Sequence, residues 1–502
     1  MKALKGLMIY IGIVLGSLLG LALVLLCIMY FVPAFRIAGI GFVHDSEDVE
    51  EQVIDISKYS GYKDIVLNLS TKKIGIEVIP VESENITYEM KLGVFGLTSE
   101  IVEYKVIKSI TCEDGVLQLF LNVTEPNGWV SIGNSCLTLR VPTNKEVGIV
   151  ASTQSGEIAI GDSERSISIN DLNVTTTRGD LSLINLGKGS EEKSLTLNTM
   201  SLSTGSGTFD LSDIDTLTVL NTIKLMSDNG RFIFNKLYAS VSITGNGVIL
   251  EAEQISCGEK GFSFIANNGI FRIKKLSSPD GAENTIIAEN ISEFDIDDIT
   301  GKTGIVTTYG DIHIDQIRDY TIIENENGDV SVNTANNTII ITTKFGDINV
   351  NSYYAIGKFT SEKGGIYVNS RGDFADEYFT QINNIDGDVK IYNEVNRLLL
   401  TTTGRSDVDI TFGKIKEGKI FQHKINTNTQ GTCIVYMPTV NAPAYCFTAK
   451  GIISGEIGIV ITASEKKQYY PSSAYQAAAL NNCSFEFVGR ITFKGYSQLT
   501  GN

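Results

Sequence analysis

Three aspartates recur at a fixed spacing and are the clearest candidates for chemistry in the chain. Asp311, Asp329 and Asp347 each follow a glycine directly and stand 18 residues apart. In a regular helix of strands their carboxylates would form a column, and hard carboxylate oxygens are ligands for divalent cations. Unpaired carboxylates in a column repel one another, so this hypothesis requires cations or outward splaying. The alternative is that each aspartate stabilises only its own turn.

Recognised metal and catalytic motifs are absent from the sequence. The Gly-Gly-x-Gly-x-Asp nonapeptide of calcium-binding β-rolls is missing, as are the GxSxG, HExxH and GxxxxGK[ST] signatures. There are three histidines, His44, His313 and His423, and His313 occupies an outward position of an alternating strand. We therefore assign no metal ligand, no cofactor and no catalytic residue, and predict that the chain is not an enzyme.

The alternative function is that of a polysaccharide-active β-helix lyase or hydrolase, which would need acidic and basic side chains clustered in a cleft. Arg272-Ile273-Lys274 resembles a short basic motif of pectin-cleaving β-helix hydrolases. The Gly-His-Gly and paired aspartates of those enzymes have no counterpart here. Strand alternation instead predicts that Arg272 and Lys274 both point outward.

Tyrosines concentrate between residues 350 and 395. A tyrosine ring stacks on sugars or peptides while its hydroxyl keeps a hydrogen-bonding function, and packing into the core is the alternative. The tyrosines of this stretch are Tyr353, Tyr354, Tyr367, Tyr378 and Tyr392. The predicted binding surface comprises Asp311, Asp329, Asp347, Tyr353, Tyr354 and Tyr367.

One short phrase repeats between residues 150 and 460. It has a glycine in a turn, often an aspartate next, and then alternating apolar and polar residues. Glycine adopts positive φ at low cost, and aspartate can hydrogen-bond its own backbone, so the pair marks a tight corner. Clear copies begin at Gly179, Gly310, Gly328, Gly346 and Gly387, and looser copies at Gly156, Gly207, Gly230, Gly247, Gly269, Gly365 and Gly455. A recurrence of about 17 to 28 residues is typical of solenoids.

The alternation after each corner predicts strands with one apolar face. Ile348 and Val350 fall on one face, and Asn349 and Asn351 on the other. Strands this short bury their apolar faces only when successive coils stack. We predict an all-β fold, a repetitive parallel β-helix (β-solenoid) preceded by one N-terminal transmembrane helix. A stack of antiparallel hairpins is the alternative, and uneven spacing disfavours a propeller.

The two ends of the repeat region differ from its middle. Residues 45–145 contain strand-like stretches at 64–69 and 115–121 but no regular Gly-Asp corners, which predicts an N-terminal β subdomain or cap. The solenoid is predicted over residues 146–462. Residues 463–502 are predicted to form a C-terminal cap that includes a short helix or loop.

The N-terminus is predicted to anchor the chain in a membrane. Residues 7–32 are almost all apolar, and this run exceeds the roughly 20 residues that span a bilayer. A cleavable signal peptide would carry small residues where Cys27 and its bulky neighbours lie, and lipidation of Cys27 would need small residues before it. We predict a cytoplasmic segment over 1–6 and an uncleaved transmembrane signal anchor over 7–34.

Flanking charges predict the orientation of this anchor in the cell membrane. Lys2 and Lys5 precede the span, whereas six acidic residues lie between positions 45 and 55, so the large domain is expected outside the cytoplasm. Arg36 opposes this weakly. Without these three basic residues, the formal charge of -17 becomes -20 after residue 36, which disfavours binding to nucleic acid or anionic lipid.

Two further features bear on assembly. Gly12, Gly16 and Gly20 share one helix face, which predicts close helix contact and a homodimer, although glycine is common in membrane spans generally. An exported setting permits disulfides, and six cysteines allow fifteen pairings, with buried free thiols as the alternative. The cysteines outside the span are Cys112, Cys136, Cys257, Cys433, Cys446 and Cys483; Cys112 with Cys136, and two of the last three, are close in sequence.

The order of these segments resembles a large bacterial family of putative adhesins described by its β-strand repeats. The resemblance rests on Leu137-Thr138-Leu139-Arg140-Val141-Pro142, on Ser155-Gly156-Glu157-Ile158 and on the Gly-Asp-Ile/Val phrases, and covers most of residues 60–460. It implies a β-repeat fold tied to membranes or envelopes and supplies no catalytic residues. We therefore expect a non-enzymatic adhesin-like or structural protein with a surface glycan or protein ligand, or else a membrane-linked sensory module.

Overall fold

The computed structural model shows a mostly β protein with one long N-terminal helix. About 70% of it is strand, arranged as a β-solenoid of about 12 turns, which confirms the predicted fold class. The structure describes residues 2–32, 35–38, 40–45, 48–59, 61–98, 104–125, 128–132, 135–184, 194–371, 377–413, 420–438, 445–455, 458–461, 466–470 and 481–496.

The chain divides into two compact units, Met1–Asp215 and Thr216–Asn502. The domain boundaries expected from sequence at residues 45, 146 and 463 stay predictions. The first unit contains α1 Lys2–Phe31, β1 Gly41–Asp45, β2 Val49–Ile54, a 3-10 turn Ile56–Lys58, β3 Asp64–Ser70, β4 Gly75–Val81, β5 Ile86–Lys91, β6 Val94–Thr98, β7 Lys105–Glu113, β8 Val116–Thr124, β9 Gly128–Ile132, β10 Cys136–Pro142, β11 Glu146–Thr153, β12 Ile158–Ile160, β13 Ser168–Thr176, β14 Leu181–Leu183, β15 Ser194–Leu197 and β16 Thr199–Thr204.

The boundary between the units falls within β17, Thr208–Ser256. The remaining strands are β18 Phe262–Ser277, β19 Glu283–Thr300, β20 Lys302–Tyr309, β21 Ile312–Ile317, β22 Thr321–Asn327, β23 Val330–Ala335, β24 Ile339–Phe345, β25 Ile348–Tyr353, β26 Gly357–Lys363, β27 Ile366–Ser370, β28 Phe379–Asp386, β29 Val389–Glu394, β30 Arg397–Gly404, β31 Val408–Phe412, β32 Gln422–Thr429, β33 Cys433–Pro438, β34 Tyr445–Gly455, β35 Gly458–Ile461, β36 Lys466–Tyr470 and β37 Asn481–Tyr496.

Helix α1 is long and apolar enough to cross a membrane. Its stretch Tyr10–Phe31 has 22 residues with a mean hydropathy of 2.8 and is mostly exposed, although Met29 is buried. Within the described residues, no heavy atom lies within 4 Å of the position that a Cβ would take on Gly12, Gly16 or Gly20. The glycine face of α1 is therefore open to close approach by another helix.

The first unit combines a parallel ladder with antiparallel additions. Strand β3 pairs in parallel with β8 and β11, and β4 pairs in parallel with β10 and β12. Antiparallel pairings join β2 to β5, β7 to β8, and β6 to both β1 and β9. Parallel stacking thus already exists at β3, where the sequence lacks regular Gly-Asp corners.

The second unit repeats two strands in each turn. From β20 onward the even-numbered strands β20, β22, β24 and β26 pair in parallel with one another, and so do the odd-numbered strands β21, β23, β25 and β27. Thr303, Thr321, Ile339 and Gly357 are register partners at steps of 18 residues. Because these pairings are parallel, the alternative stack of antiparallel hairpins is wrong for these turns.

The apolar residues of the alternating strands lie in the interior, as predicted from the sequence. Ile348 and Val350 are 0% and 1% exposed, while Asn349 and Asn351 point outward. Stacking such residues turn upon turn removes apolar surface from water at about 25 cal/mol per Å². The apolar column holds the coils together, and the outward positions are left available for other functions.

The cysteines of the described residues are free thiols, the alternative to the disulfides that an exported setting permits. Cys112, Cys136, Cys257, Cys433 and Cys446 are free thiols in the described part of the chain, and the side chain of Cys483 lies outside it. Burial raises the pKa of Cys433 to about 12 and that of Cys136 to about 11. Both behave as apolar fillers rather than reactive thiols.

The C-terminal region is also partly corrected. Residues 466–470, expected within a helix or loop, form β36, which pairs antiparallel with β35. The expected helix or loop covers residues 465–482, of which 481 and 482 begin β37, while 465 and 471–480 lie outside the described residues.

Candidate functional site

The repeated aspartates form a column along the Gly-Asp corners of the second unit. The backbone N–H of Asp329 donates to Asp311 Oδ1 at 2.9 Å, and the N–H of Asp347 donates to Asp329 Oδ1 at 2.7 Å. The N–H of Gly365 donates to Asp347 Oδ1 at 2.6 Å. Each carboxylate therefore accepts a hydrogen bond from the same corner of the next coil.

This arrangement gives the carboxylates a backbone role that needs no cation. Asp388 and Asp407 continue it, since the Asp407 N–H donates to Asp388 Oδ1 at 3.2 Å. Hydrogen bonds from the Thr432 backbone and hydroxyl lower the pKa of Asp407. Among the described residues no group of three or more His, Cys, Asp or Glu side chains is placed to hold a metal ion. Stabilisation of each Gly-Asp corner therefore accounts for the column of aspartates.

A second polar column lies inside the solenoid beside these corners. A serine, threonine or asparagine three residues before the corner glycine turns inward and bonds corner backbone: Thr343 Oγ1 donates to the Gly346 carbonyl at 3.0 Å, and Asn325 Nδ2 to the Gly328 carbonyl at 3.1 Å. These bonds satisfy polar groups that would otherwise be buried unpaired. The corner thus has the extended pattern Ser/Thr/Asn-x-x-Gly-Asp.

The predicted binding surface is not one surface. Tyr353 is fully buried, its Oη 2.6 Å from Thr380 Oγ1 and donating to Glu394 Oε2 at 3.3 Å. The expectation that it is exposed is wrong, because β25 loses strict alternation after Val350 and turns Tyr353 inward. Tyr354 is 40% exposed but follows the end of β25, away from the Gly-Asp corner.

Tyr367 is the predicted tyrosine that adjoins the aspartate column. Its ring lies across Gly365: a Cβ there would come within 2.6 Å of the Tyr367 hydroxyl oxygen. In this copy of the repeat a glycine stands where the neighbouring copies have aspartate. Its N–H still donates to the Asp347 carboxylate, as in the other corners.

Tyr367 also belongs to an outward column across three neighbouring coils. It pairs in register with Lys390 of β29, which pairs with Asp409 of β31. The Lys390 ammonium lies 5.5 Å from the centroid of the Tyr367 ring, within range of a cation–π interaction. Tyr392, two residues beyond Lys390 on the same strand, is 48% exposed. We call Tyr367, Lys390, Tyr392 and Asp409 the tyrosine face.

The electrostatics of the tyrosine face combine burial with opposed charges. Partial burial, and then the carboxylates of Asp347 and Asp388, raise the pKa of Tyr367, while Lys390 lowers it. Burial likewise raises the pKa of Asp409, against the attraction of Lys390. The tyrosine face thus offers aromatic rings and hydroxyl groups, together with one cation that lies between carboxylates. These groups suit the recognition of a polar partner.

The candidate bases for catalysis are not brought together. His313 is solvent-facing, with its Nε2 3.8 Å from Asp315 Oδ1. His423 is buried; its Nδ1 accepts the Leu398 N–H at 3.2 Å, and burial lowers its pKa to about 3. The side chain of His44 lies outside the described residues.

Arg272 and Lys274 point outward, as the alternation predicts. Arg272 pairs with Glu251 and with Glu293, and Lys274 Nζ lies 2.7 Å from Glu253 Oε1. These are cross-strand pairs on one sheet surface rather than the walls of a cleft. The basic motif therefore has a structural explanation.

This chain is similar to a known protein family and to two solved structures. Residues 62–413 match the family model described as Toastrack DUF4097. Among solved structures, a putative cell adhesion protein from Clostridium sporogenes is 16% identical, with a TM-score of 0.26, and the match covers 46% of this chain and 100% of that one. A putative adhesin from Parabacteroides distasonis is 11% identical, with a TM-score of 0.15 and 78% and 97% coverage. Among curated proteins, no sequence matches this chain.

Proposed function

We propose, since this chain belongs to the Toastrack DUF4097 family, that it is a membrane-anchored, non-enzymatic binding protein whose β-solenoid stands outside the cytoplasm. Helix α1 is the anchor, and Lys2 and Lys5 hold its N-terminus in the cytoplasm. The open glycine face of α1 is the contact for a second copy, which the self-association of the isolated helix would test.

The observation that carries the binding function is the tyrosine face. Tyrosines are enriched in the cores of protein interfaces. A sheet surface can present them to a partner without forming a cleft. The exposed ring of Tyr392 stands beside Lys390, which is held between Tyr367 and Asp409 in successive coils. This arrangement favours a protein partner with a matching polar and aromatic surface.

A binding role also fits the chemistry better than turnover does. An enzyme of the polysaccharide-cleaving class needs an acid and a base that reach the same bond. Asp409 is the register partner of Lys390 on one sheet face, and the corner carboxylates accept hydrogen bonds from backbone amides. The described residues therefore support recognition, and the enzymatic alternative has no observation in its favour.

The test is a binding screen with the full chain reconstituted in lipid nanodiscs. We expect hits on an array of extracellular and envelope proteins that the double variant Tyr367→Ala/Lys390→Ala weakens at least tenfold, since hot-spot side chains contribute about 2 kcal/mol each. Tyr354→Ala is the matched control, because Tyr354 is exposed but lies outside the tyrosine face. Equal binding by the double variant and the control would reject the tyrosine face as the binding site. Cleavage of a bound protein would reject the non-enzymatic role.

A further inference from the structure

A cavity of about 470 Å³ opens near the start of the second unit. It is lined by three segments, residues 219–222, 238–240 and 256–260, of which the first two lie within β17 and the third at its end. Ala239 and Ser240 are buried and form its floor, whereas Leu220 and Tyr238 are exposed at its rim. Its volume is within the range of about 300–1,000 Å³ typical of small-ligand sites.

Local sequence explains why this cavity is open. The chain continues as β17 from Tyr238 through Val241, whereas residues 257–261, between β17 and β18, form a turn in which the Gly261 N–H donates to the Gly258 carbonyl at 2.9 Å. Ser240 Oγ accepts the Lys260 N–H at 3.1 Å and fixes that turn. A Cβ on Gly258 would come within 3.0 Å of the Ser240 hydroxyl, so glycine keeps the floor accessible.

The lining has the chemistry of a sugar site. Tyr238, 39% exposed, offers an aromatic surface for the apolar face of a pyranose ring. Hydrogen-bonding groups surround it, and a sugar hydroxyl both donates and accepts such bonds. The polar side chains of the lining include Thr222, Ser240, Ser256, Glu259 and Lys260. One carboxylate and one ammonium balance each other, which favours a neutral ligand over a cation or a phosphate.

The same lining does not favour bond cleavage. Cys257 is the thiol of the cavity, and burial raises its pKa to about 11, so it is protonated and weakly nucleophilic at neutral pH. The residues that line the cavity include no histidine. Binding without turnover is the chemistry that these groups support.

We propose that this cavity, which we call the Tyr238 notch, binds one or two residues of a neutral glycan. This site goes beyond the proposed function, because it is separate from the tyrosine face and takes a different class of ligand. The residues that line the notch include no residue of the tyrosine face. A variant at one site therefore leaves the residues of the other site in place, and the two sites can be tested separately.

The test uses the full chain in nanodiscs and three neutral probes, namely maltotriose, cellotriose and tri-N-acetylchitotriose. Saturation-transfer NMR and calorimetry should detect saturable binding of at least one probe. Tyr238→Ala should raise its Kd at least tenfold, because the stacking surface is lost, and Tyr238→Phe should change it less than threefold. Glu259→Ala, on the exposed turn, should raise the Kd severalfold without affecting folding.

Two controls keep the proposal falsifiable. Tyr354→Ala removes a tyrosine of nearly equal exposure, 40%, outside the notch and should leave the Kd unchanged. The double variant Tyr367→Ala/Lys390→Ala should also keep sugar binding, even if the tyrosine face proves to have no partner. Lack of binding by all three probes, or equal losses in Tyr238→Ala and Tyr354→Ala, would overturn the notch as a sugar site. Cleavage of a trisaccharide probe into shorter products would show that the notch does more than bind.

Discussion

Replacing Gly346 with alanine is expected to destabilise the second unit by roughly 3 kcal/mol, because the new methyl group has no room between coils. A Cβ on Gly346 would overlap the carbonyl group of Gly328 in the previous coil. Gly364 stands in the same relation to the Gly346 carbonyl. Since the obstructing atoms are backbone, neither coil can yield without breaking ladder hydrogen bonds. The corner glycines are therefore required by the spacing of the coils.

Gly304→Ala is the matched control for this prediction. Gly304 lies in the middle of β20 in the same unit, and within the described residues nothing lies within 4 Å of its Cβ position. Alanine there should be neutral or slightly stabilising, since glycine weakens a strand. Urea unfolding of the full chain, followed by hydrogen exchange over residues 348–353, measures both variants. Equal stability of the two variants would show that contact between the corners does not set the spacing of the coils.

Replacing Tyr353 with alanine should cost about 4 kcal/mol, the second large effect. The ring is fully buried and packs edge-on against Phe359 at a centroid distance of 5.4 Å. Its removal leaves a cavity and takes the hydroxyl partner from Thr380 and from Glu394. Glu394 is also buried, and that burial raises the pKa of its carboxyl group. The buried Glu394 carboxyl group loses a hydrogen-bond donor in this variant, and that loss adds to the free-energy cost of the cavity.

Two companion variants separate the ring from its hydroxyl. Tyr353→Phe keeps the packing and loses the hydrogen bonds, so it should cost about 1–2 kcal/mol. Tyr354→Ala, at the exposed neighbour, should lie within about 0.5 kcal/mol of the parent chain. Unfolding midpoints in urea rank the three variants. A cost for Tyr353→Ala no larger than that for Tyr354→Ala would contradict the buried placement of Tyr353.

The fold was readable from sequence because its signals are local and repeat. Alternation placed Ile348 and Val350 inside, and the clear Gly-Asp phrases lie between strands. The looser copies at Gly230, Gly247 and Gly269 are wrong as turns, because these glycines lie within β17 and β18. The inward Ser/Thr/Asn column was missed, although its spacing of three residues before glycine is visible at Thr343 and Asn325. Threonine is β-branched and favours strand at any position, so residue type alone does not distinguish its inward role at a corner from an ordinary strand position.

The candidate sites were less readable because they depend on neighbours that are distant in sequence. Tyr367 was selected from sequence, but Lys390 and Asp409 join it only through the register of three coils. Tyr353 was misplaced because strict alternation was extended past Val350, whereas the inward position of Tyr353 repeats that of Ile317 and Ala335 at steps of 18 residues. The Tyr238 notch is lined by three segments of the chain that become neighbours only once the coils stack.

The most direct test of the central claim, a β-solenoid held outside the cytoplasm by α1, uses the native thiol of Cys112. This residue is an exposed free cysteine of β7, whereas Cys433 is buried. A membrane-impermeant maleimide applied to intact spheroplasts that express the full chain should label the protein, and Cys112→Ser should remove most of the label. Labelling of Cys112 that appears only after the membrane is permeabilised would contradict the claim.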